Sequence, residues 1–370
     1  MSRSGKVVEG LLALCGVTVN GTNPYDIRVN DERMYARVLR DKNLGLGESY
    51  MEGWWDCERL DQFICRILST GLDEKVAGGF KLLLPVVGAL LFNRQSKIRS
   101  RDVAEQHYDL GNDLFFSFLD SYNQYSCAYF NGTNDLDLAQ LNKLDLMCRK
   151  LGLRLGEHVL DIGFGWGGLA KYIALNCGCT VTGVNISGEQ IAYAREFCKD
   201  LPINVVHCDY RDVEGEFDKV VSVGMFEHVG RKNYREFMQT VNRCLNPGGT
   251  FLLHTIGSNE SQVKSDPWIS KYIFPNGELP SIAQISKAAE GLFVIEDLHN
   301  LGPHYDKTLM AWNERFQAAW PRLESHYDQR FKRMWEYYLL SCAGAFRARN
   351  IQLWQIVMTK NCTPQPACRF

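Results

Sequence analysis

A hydrophobic run passes into glycines at Val159-Leu160-Asp161-Ile162-Gly163-Phe164-Gly165-Trp166-Gly167-Gly168. Glycines at this spacing let a strand turn tightly into a helix. They also let a ligand approach bare backbone at the positive end of that helix. Two cofactors compete for such a turn. A dinucleotide requires an acidic residue at the end of the next strand to hold its ribose hydroxyls, and Asn185 stands there. Asp161, two residues ahead of the first glycine, is instead placed to orient the loop, as in S-adenosylmethionine methyltransferases. Asp161, Gly163, Gly165 and Gly167 are therefore candidate S-adenosylmethionine contacts; the plain alternative is a tight turn and nothing more.

Further candidates follow the next strands. Gln190 opens the helix after Asn185-Ile186-Ser187, within reach of a cofactor in the loop. Asp209 and Tyr210 follow the third strand, where a carboxylate could accept from an adenine amine and a ring could stack on the base. Each is equally readable as an ordinary loop residue. Glu227-His228 follow the fourth strand, His254 ends the fifth, and Tyr305 lies just after the sixth. Open α/β sheets bind ligands at the carboxyl ends of their strands, and all of these positions fall on that edge. Read singly, His254 is a satisfied strand-end histidine, Cys127 a buried thiol, and His228 a cap on the following turn.

The elements that must position these groups alternate from about Glu157 onward, the pattern of a parallel sheet with helices on both faces. Strands are predicted at His158–Ile162, Thr180–Val184, Asn204–Cys208, Lys219–Val223, Thr250–His254, Phe293–Asp297 and Gln352–Met358. A helix over Asn233–Leu245 stops at Asn246-Pro247-Gly248-Gly249, and a long helix spans Gln329–Arg347. The expected fold class is α/β, a doubly wound, seven-stranded and mostly parallel sheet of the class I methyltransferase kind. Val103–Leu155 reads as helices leading into the sheet, broken by a loop at Tyr122–Asn131. The basic stretch Ser96–Asp102 reads as a linker, dividing a small, mainly helical N-terminal domain (1–99) from a catalytic domain (100–370).

Composition narrows the class. The 370 residues are 45% hydrophobic and 23% charged, enough to bury a sizeable core. A net charge of −2 argues against nucleic acid as a partner. Thirteen cysteines are an odd number; Cys148, Cys177 and Cys198 sit inside strand- or helix-like segments, and no CxxC pair occurs. They read as reduced thiols of a cytoplasmic protein. No signal-peptide pattern precedes residue 20. The apolar run Leu82–Phe92, interrupted by Pro85, is about half a membrane span.

Seven segments carry a wider likeness: Gln106–Asn112, Gln124–Tyr129, Asp161–Leu169, Val221–Gly230, Leu252–Gly257, Tyr272–Leu279 and Cys342–Arg349, with Leu44–Trp55 in the N-terminal region. Together, in this order, they resemble the cyclopropane-fatty-acyl-phospholipid synthases. Two departures stand out: Phe164 where the family commonly has Cys, and Asn185 where it has Thr. Both bear on cofactor-loop packing and ribose contacts more than on chemistry.

The resemblance implies that the π electrons of a cis double bond attack a sulfonium methyl, that a base removes a proton from the new methyl, and that a cyclopropane ring closes. Such a site must exclude water and stabilise positive charge, as aromatic faces do. The resemblance implies a bound bicarbonate ion as the base, held by Cys127, Glu227, His254, Tyr305 and the backbone N–H of Ile256. A His and a Tyr can donate to the anion, whereas an ionised Glu227 would accept its hydroxyl proton. Tyr125 and Ser126 join the cofactor residues on the same basis.

Cys342 reads as helix packing, since this chemistry needs no covalent thiol, or as a direct participant. His107 and Tyr108 read as cofactor-entrance residues or as packing. Phe80–Phe92, followed by Arg94, Lys97, Arg99 and Arg101, reads as an interfacial element or as a core helix with a solvated linker. Trp268, Tyr272 and Trp312 read as acyl-channel lining or plain core. The expected partners are a phospholipid acyl chain, the inner face of a membrane peripherally contacted, and a second copy in a homodimer. The rivals are a methyltransferase that stops before ring closure and a non-catalytic lipid-binding protein.

Overall fold

The computed structural model describes residues 2–72, 111–261 and 265–370. They separate into two compact units. One comprises residues 111–261, 276–304 and 352–370, the other 2–72, 265–275 and 305–351. The stretch Phe80–Arg101, His107 and Tyr108 lie outside the described residues.

The first unit is built on a seven-stranded sheet: β1 His158–Ile162, β2 Thr180–Asn185, β3 Ile203–His207, β4 Phe217–Val223, β5 Leu245–Ser258, β6 Val294–Asn300 and β7 Ile351–Thr359. Their order is β3-β2-β1-β4-β5-β7-β6. Pairs β1–β2, β1–β4, β2–β3 and β4–β5 are parallel, and β6 runs antiparallel to β7. This is the α/β arrangement expected, with all seven strands in place. The central strands are buried on both faces, which explains why Val, Leu and Ile dominate β1 and recur on both faces of β4. One core layer gathers Leu160, Ile162, Val220, Phe226, Phe237, Phe251 and Trp354. The other gathers Leu144, Met147, Val159, Ile173, Val221 and Val357.

One boundary differs from expectation. The Tyr234–Cys244 helix stops where predicted, but strand β5 already begins at Leu245. Phe217 pairs with Leu245 and Lys219 with Thr250, so Asn246-Pro247-Gly248-Gly249 bulges out of the ladder. Pro247 has no N–H to give the ladder, and Gly248 takes a left-handed φ of 79°.

The second unit is mainly helical, with Arg3–Ala13, Arg33–Met51, Leu60–Ser69, Pro267–Tyr272 and Gln329–Arg347. The last begins and ends where the sequence predicts. Its Gly344 lies against the Asp61 carbonyl, where a Cβ would come within 2.6 Å. Arg347 next to it binds buried Asp61 and also Asp306. Glu48 accepts hydrogen bonds from Lys271 Nζ (2.6 Å), Tyr272 OH (2.8 Å) and Arg37 Nη2 (2.5 Å). Burial opposes its ionisation, yet these donors outweigh burial and bring the carboxyl down to about 2. Trp268 is fully buried, with its ring over Gly47 and 4.7 Å from that of Tyr337. Trp268 and Trp312 thus lie in the core, and the Tyr272 hydroxyl is held by Glu48.

Candidate active site

The glycine loop lies between β1 and the Gly168–Cys177 helix. Gly163, Gly165 and Gly167 have φ of 81°, 57° and 87°, a region that side chains rarely enter. A Cβ built on Gly165 would meet nothing within 4 Å among the described residues, which leaves space above that residue. Phe164 turns the other way and packs on Gly183, Ile191 and Ala194. Its bulk is therefore taken up beneath the turn. Asp161, buried at the end of β1, keeps Oδ2 without a hydrogen-bond partner among the described residues. Burial pushes its carboxyl up to about 7, against the pull of Lys143. A backbone cradle beside a carboxyl with unused acceptor capacity fits a cofactor bearing ribose hydroxyls and an amine.

On the neighbouring strands the side chains engage one another. Asn185 Nδ2 donates to Gln190 Oε1 at 2.8 Å, and Asn185 Oδ1 accepts from the Ile186 N–H at 2.8 Å. Asp209 is gripped by Arg211 through Nε and Nη2, both at 2.7 Å. Tyr210 is built into the core with its ring 5.3 Å from Phe237. Asn185 ends β2, Asp209 and Tyr210 follow β3, and Gln190 opens the helix after β2; among the described residues the buried Tyr210 hydroxyl has no hydrogen-bond partner.

Three catalytic candidates, Glu227, His254 and Ile256, lie together at the ends of β4 and β5. Val223 pairs with His254, and the Gly224 N–H donates to the His254 carbonyl at 2.9 Å. Glu227 lies in the helical turn Phe226–His228 that follows β4. Its Oε1 accepts the Ile256 N–H at 2.6 Å, which ties β5 to this turn. Glu227 Oε2 and His254 Nε2 are buried with no hydrogen-bond partner among the described residues. Burial pushes the Glu227 carboxyl up to about 7, opposed by bonds from Ile256 and Thr255. Desolvation drives His254 well below its usual range, with the fields of Lys143 and Lys150 adding to it, so the imidazole is neutral. Near neutrality this pair offers one group that can accept a proton and one that can donate a hydrogen bond. His228 is held neutral at about 4 by desolvation.

Cys127 is fully buried, and its thiol donates to the Ala128 and Leu301 carbonyls at 3.2 and 3.8 Å. Tyr125 stands beside it with its ring 5.1 Å from Phe115; Phe115 in turn packs on Trp166 of the glycine loop. Trp166 Nε1 donates to Asn112 at 2.9 Å. Tyr305 and Cys342 belong to the helical unit. Tyr305 is buried with its ring 4.7 Å from Phe346. Desolvation pushes the Cys342 thiol up to about 12, which keeps it protonated and poorly nucleophilic.

The sequence reading missed Lys143, Gln140 and Gln124, all buried. A signal was present: Leu136, Gln140, Lys143, Met147 and Lys150 follow helical spacing on a face that otherwise turns inward. Polar residues on such a face call for partners.

The model of the mycolic acid cyclopropane synthetase family matches residues 95–356. The cyclopropane-fatty-acyl-phospholipid synthase of Escherichia coli (strain K12) is 54% identical over 96% of this chain and 93% of its own length. The tuberculostearic acid methyltransferase of Mycobacterium tuberculosis (strain ATCC 25618 / H37Rv) is 35% identical over 90% of this chain and 82% of its own. Among solved structures, mycolic acid cyclopropane synthase CmaA1 complexed with SAH and CTAB aligns with a TM-score of 0.66 at 31% identity. That alignment covers 70% of this chain and 98% of the other. With the strand order, the glycine cradle and the buried Glu227–His254 pair, these matches show that the chain belongs to the mycolic acid cyclopropane synthetase family, S-adenosylmethionine-dependent enzymes acting on lipid acyl chains.

Proposed function

We propose that the chain transfers a methylene from S-adenosylmethionine to the cis double bond of an unsaturated phospholipid acyl chain, closing a cyclopropane ring with bound bicarbonate as the base. The observation that carries this reading is the buried pair at the ends of β4 and β5, where Glu227 Oε2 and His254 Nε2 have no hydrogen-bond partner among the described residues. Unsatisfied buried polar atoms are costly, about 1–3 kcal/mol each, and a small hydrogen-bonding anion would satisfy both. When bound, S-adenosylmethionine supplies an electrophilic methyl and bicarbonate a mobile proton acceptor. Asp161, Gly163, Gly165, Gly167, Asn185, Gln190, Asp209 and Tyr210, with Tyr125 and Ser126, would hold the cofactor. Neutral His254 would donate to the anion and Glu227 would accept from it. In this reading Cys127 and the Ile256 N–H complete the anion site, the N–H shared with Glu227 Oε1; Tyr305, which the family resemblance adds, belongs to the helical unit. Cys342 takes no covalent part, because its thiol stays protonated.

The same reading gives residues 1–99 a lipid-associated role and 100–370 the catalytic role, with 265–275 and 305–351 folding beside the N-terminal residues, and makes the enzyme a homodimer on the cytoplasmic face of a membrane. Among the described residues no helix is long and apolar enough to cross a bilayer. Product analysis tests the reaction. Mass spectrometry of phospholipid vesicles incubated with enzyme and S-adenosylmethionine should show acyl chains that gain CH2 and lose the alkene. Chains that gain CH2 but keep an alkene would instead assign methyl transfer without ring closure.

A further inference from the structure

We propose that Lys143 is a positioning residue whose buried ammonium fixes the Gln124 and Ser126 side chains of the Gln124–Cys127 segment, so that Ser126 is presented to the cofactor. The inference rests on the proposed reading that this segment lines the site. Lys143 is fully buried on the Leu136–Leu151 helix. Its Nζ donates to Gln124 Oε1 at 2.5 Å and to Ser126 Oγ at 3.0 Å. Burying an ammonium costs several kcal/mol unless its surroundings compensate. Both hydrogen-bond partners are neutral, and burial outweighs the fields of Asp120 and Asp161 that favour the charge, bringing the ammonium down to about 8. Stability alone does not account for the lysine, since a leucine or methionine would fill the same volume without that cost.

The rest of the clamp shows what the lysine adds. One turn earlier, Gln140 Nε2 donates to the Ser126 carbonyl at 3.0 Å and to the Gln124 carbonyl at 3.4 Å. Buried Asp120 accepts the Gln124 and Tyr122 N–H groups at 2.8 and 2.9 Å. On the opposite side the Tyr122 carbonyl lies on Gly168, where a Cβ would come within 1.7 Å. The segment's backbone is thus pinned without Lys143. What Lys143 fixes is two side chains. An ammonium only donates, so Ser126 Oγ accepts from it and its own hydrogen is directed away, toward a ligand acceptor.

Calorimetric titration with S-adenosylmethionine tests this on wild type, K143M, S126A, the double variant, and G165V as a reference for the site itself. K143M should keep or raise the melting temperature, since a buried charge is removed, while cofactor affinity falls at least tenfold. The double variant should bind no more weakly than K143M, because the two residues act as one unit. Cofactor affinity within twofold of wild type in folded K143M would overturn the inference. So would unchanged cofactor affinity with a raised half-saturating bicarbonate concentration, which would make Lys143 a source of field rather than of position. If K143M does not fold, Q124M, which removes the 2.5 Å acceptor, must show the same cofactor-specific loss or the inference fails. Unaltered binding by G165V would instead remove the glycine loop from the site, a failure of the proposed reading and not of this inference alone.

Discussion

Glu227 carries two demands that pull in opposite directions. Its environment favours the neutral acid, with the carboxyl raised from 4.5 to about 7, while the proposed chemistry uses it as an acceptor near neutrality. A carboxyl whose folded value is raised stabilises the fold most at low pH, and that contribution is lost as pH rises from the unfolded to the folded value. E227Q should therefore match wild-type stability below about 4.5 and exceed it increasingly up to about 7, with a constant advantage above. Melting curves across this range check it; a difference independent of pH would mean the carboxyl is not buried as a charge-averse group. At this scale the sequence showed which residues stand at strand ends, but not how they pair. The Asn185–Gln190 and Asp209–Arg211 bonds depend on turn geometry that spacing does not convey. Lys143 was overlooked because a lysine in a helix is ordinarily solvated.

At the scale of elements, periodicity and punctuation were enough to find every strand of the sheet and the whole Gln329–Arg347 helix. Runs of β-branched residues between glycine- and proline-rich turns have few other readings. The bulge in β5 was not visible, because Asn-Pro-Gly-Gly signals a turn whether the chain leaves the sheet or rejoins it. The glycine loop yields a prediction of its own. Gly165 combines a φ of 57° with space, among the described residues, where a Cβ would point. G165V would put a branched side chain into the ligand's approach, so S-adenosylmethionine binding should fall at least tenfold, about 1.4 kcal/mol. Titration of the folded variant decides it, and unchanged affinity would show that the cofactor lies elsewhere.

The whole molecule must reach a lipid, and charge pattern is the part of that problem the sequence exposes. If Lys97, Arg99 and Arg101 dock on anionic headgroups, reversing them to Glu should weaken co-sedimentation with anionic vesicles. Added salt should act on wild type in the same way. Equal binding of variant and wild type at low salt would remove this stretch from the membrane contact. The division of the chain was legible only in part. Residues 265–275 and 305–351 fold with the N-terminal residues although they lie between strands of the sheet in sequence, and local pattern carries no record of such a return. Turnover by the intact enzyme on vesicles tests the central claim most directly. The rate of ring formation is measured in carbonate-stripped buffer and again as bicarbonate is restored, for wild type and for E227Q at matched cofactor occupancy. The account predicts a depressed wild-type rate that bicarbonate recovers, and an E227Q rate lower by roughly a hundredfold with cofactor affinity retained. Full wild-type activity in carbonate-free buffer would contradict it and make a protein side chain the base.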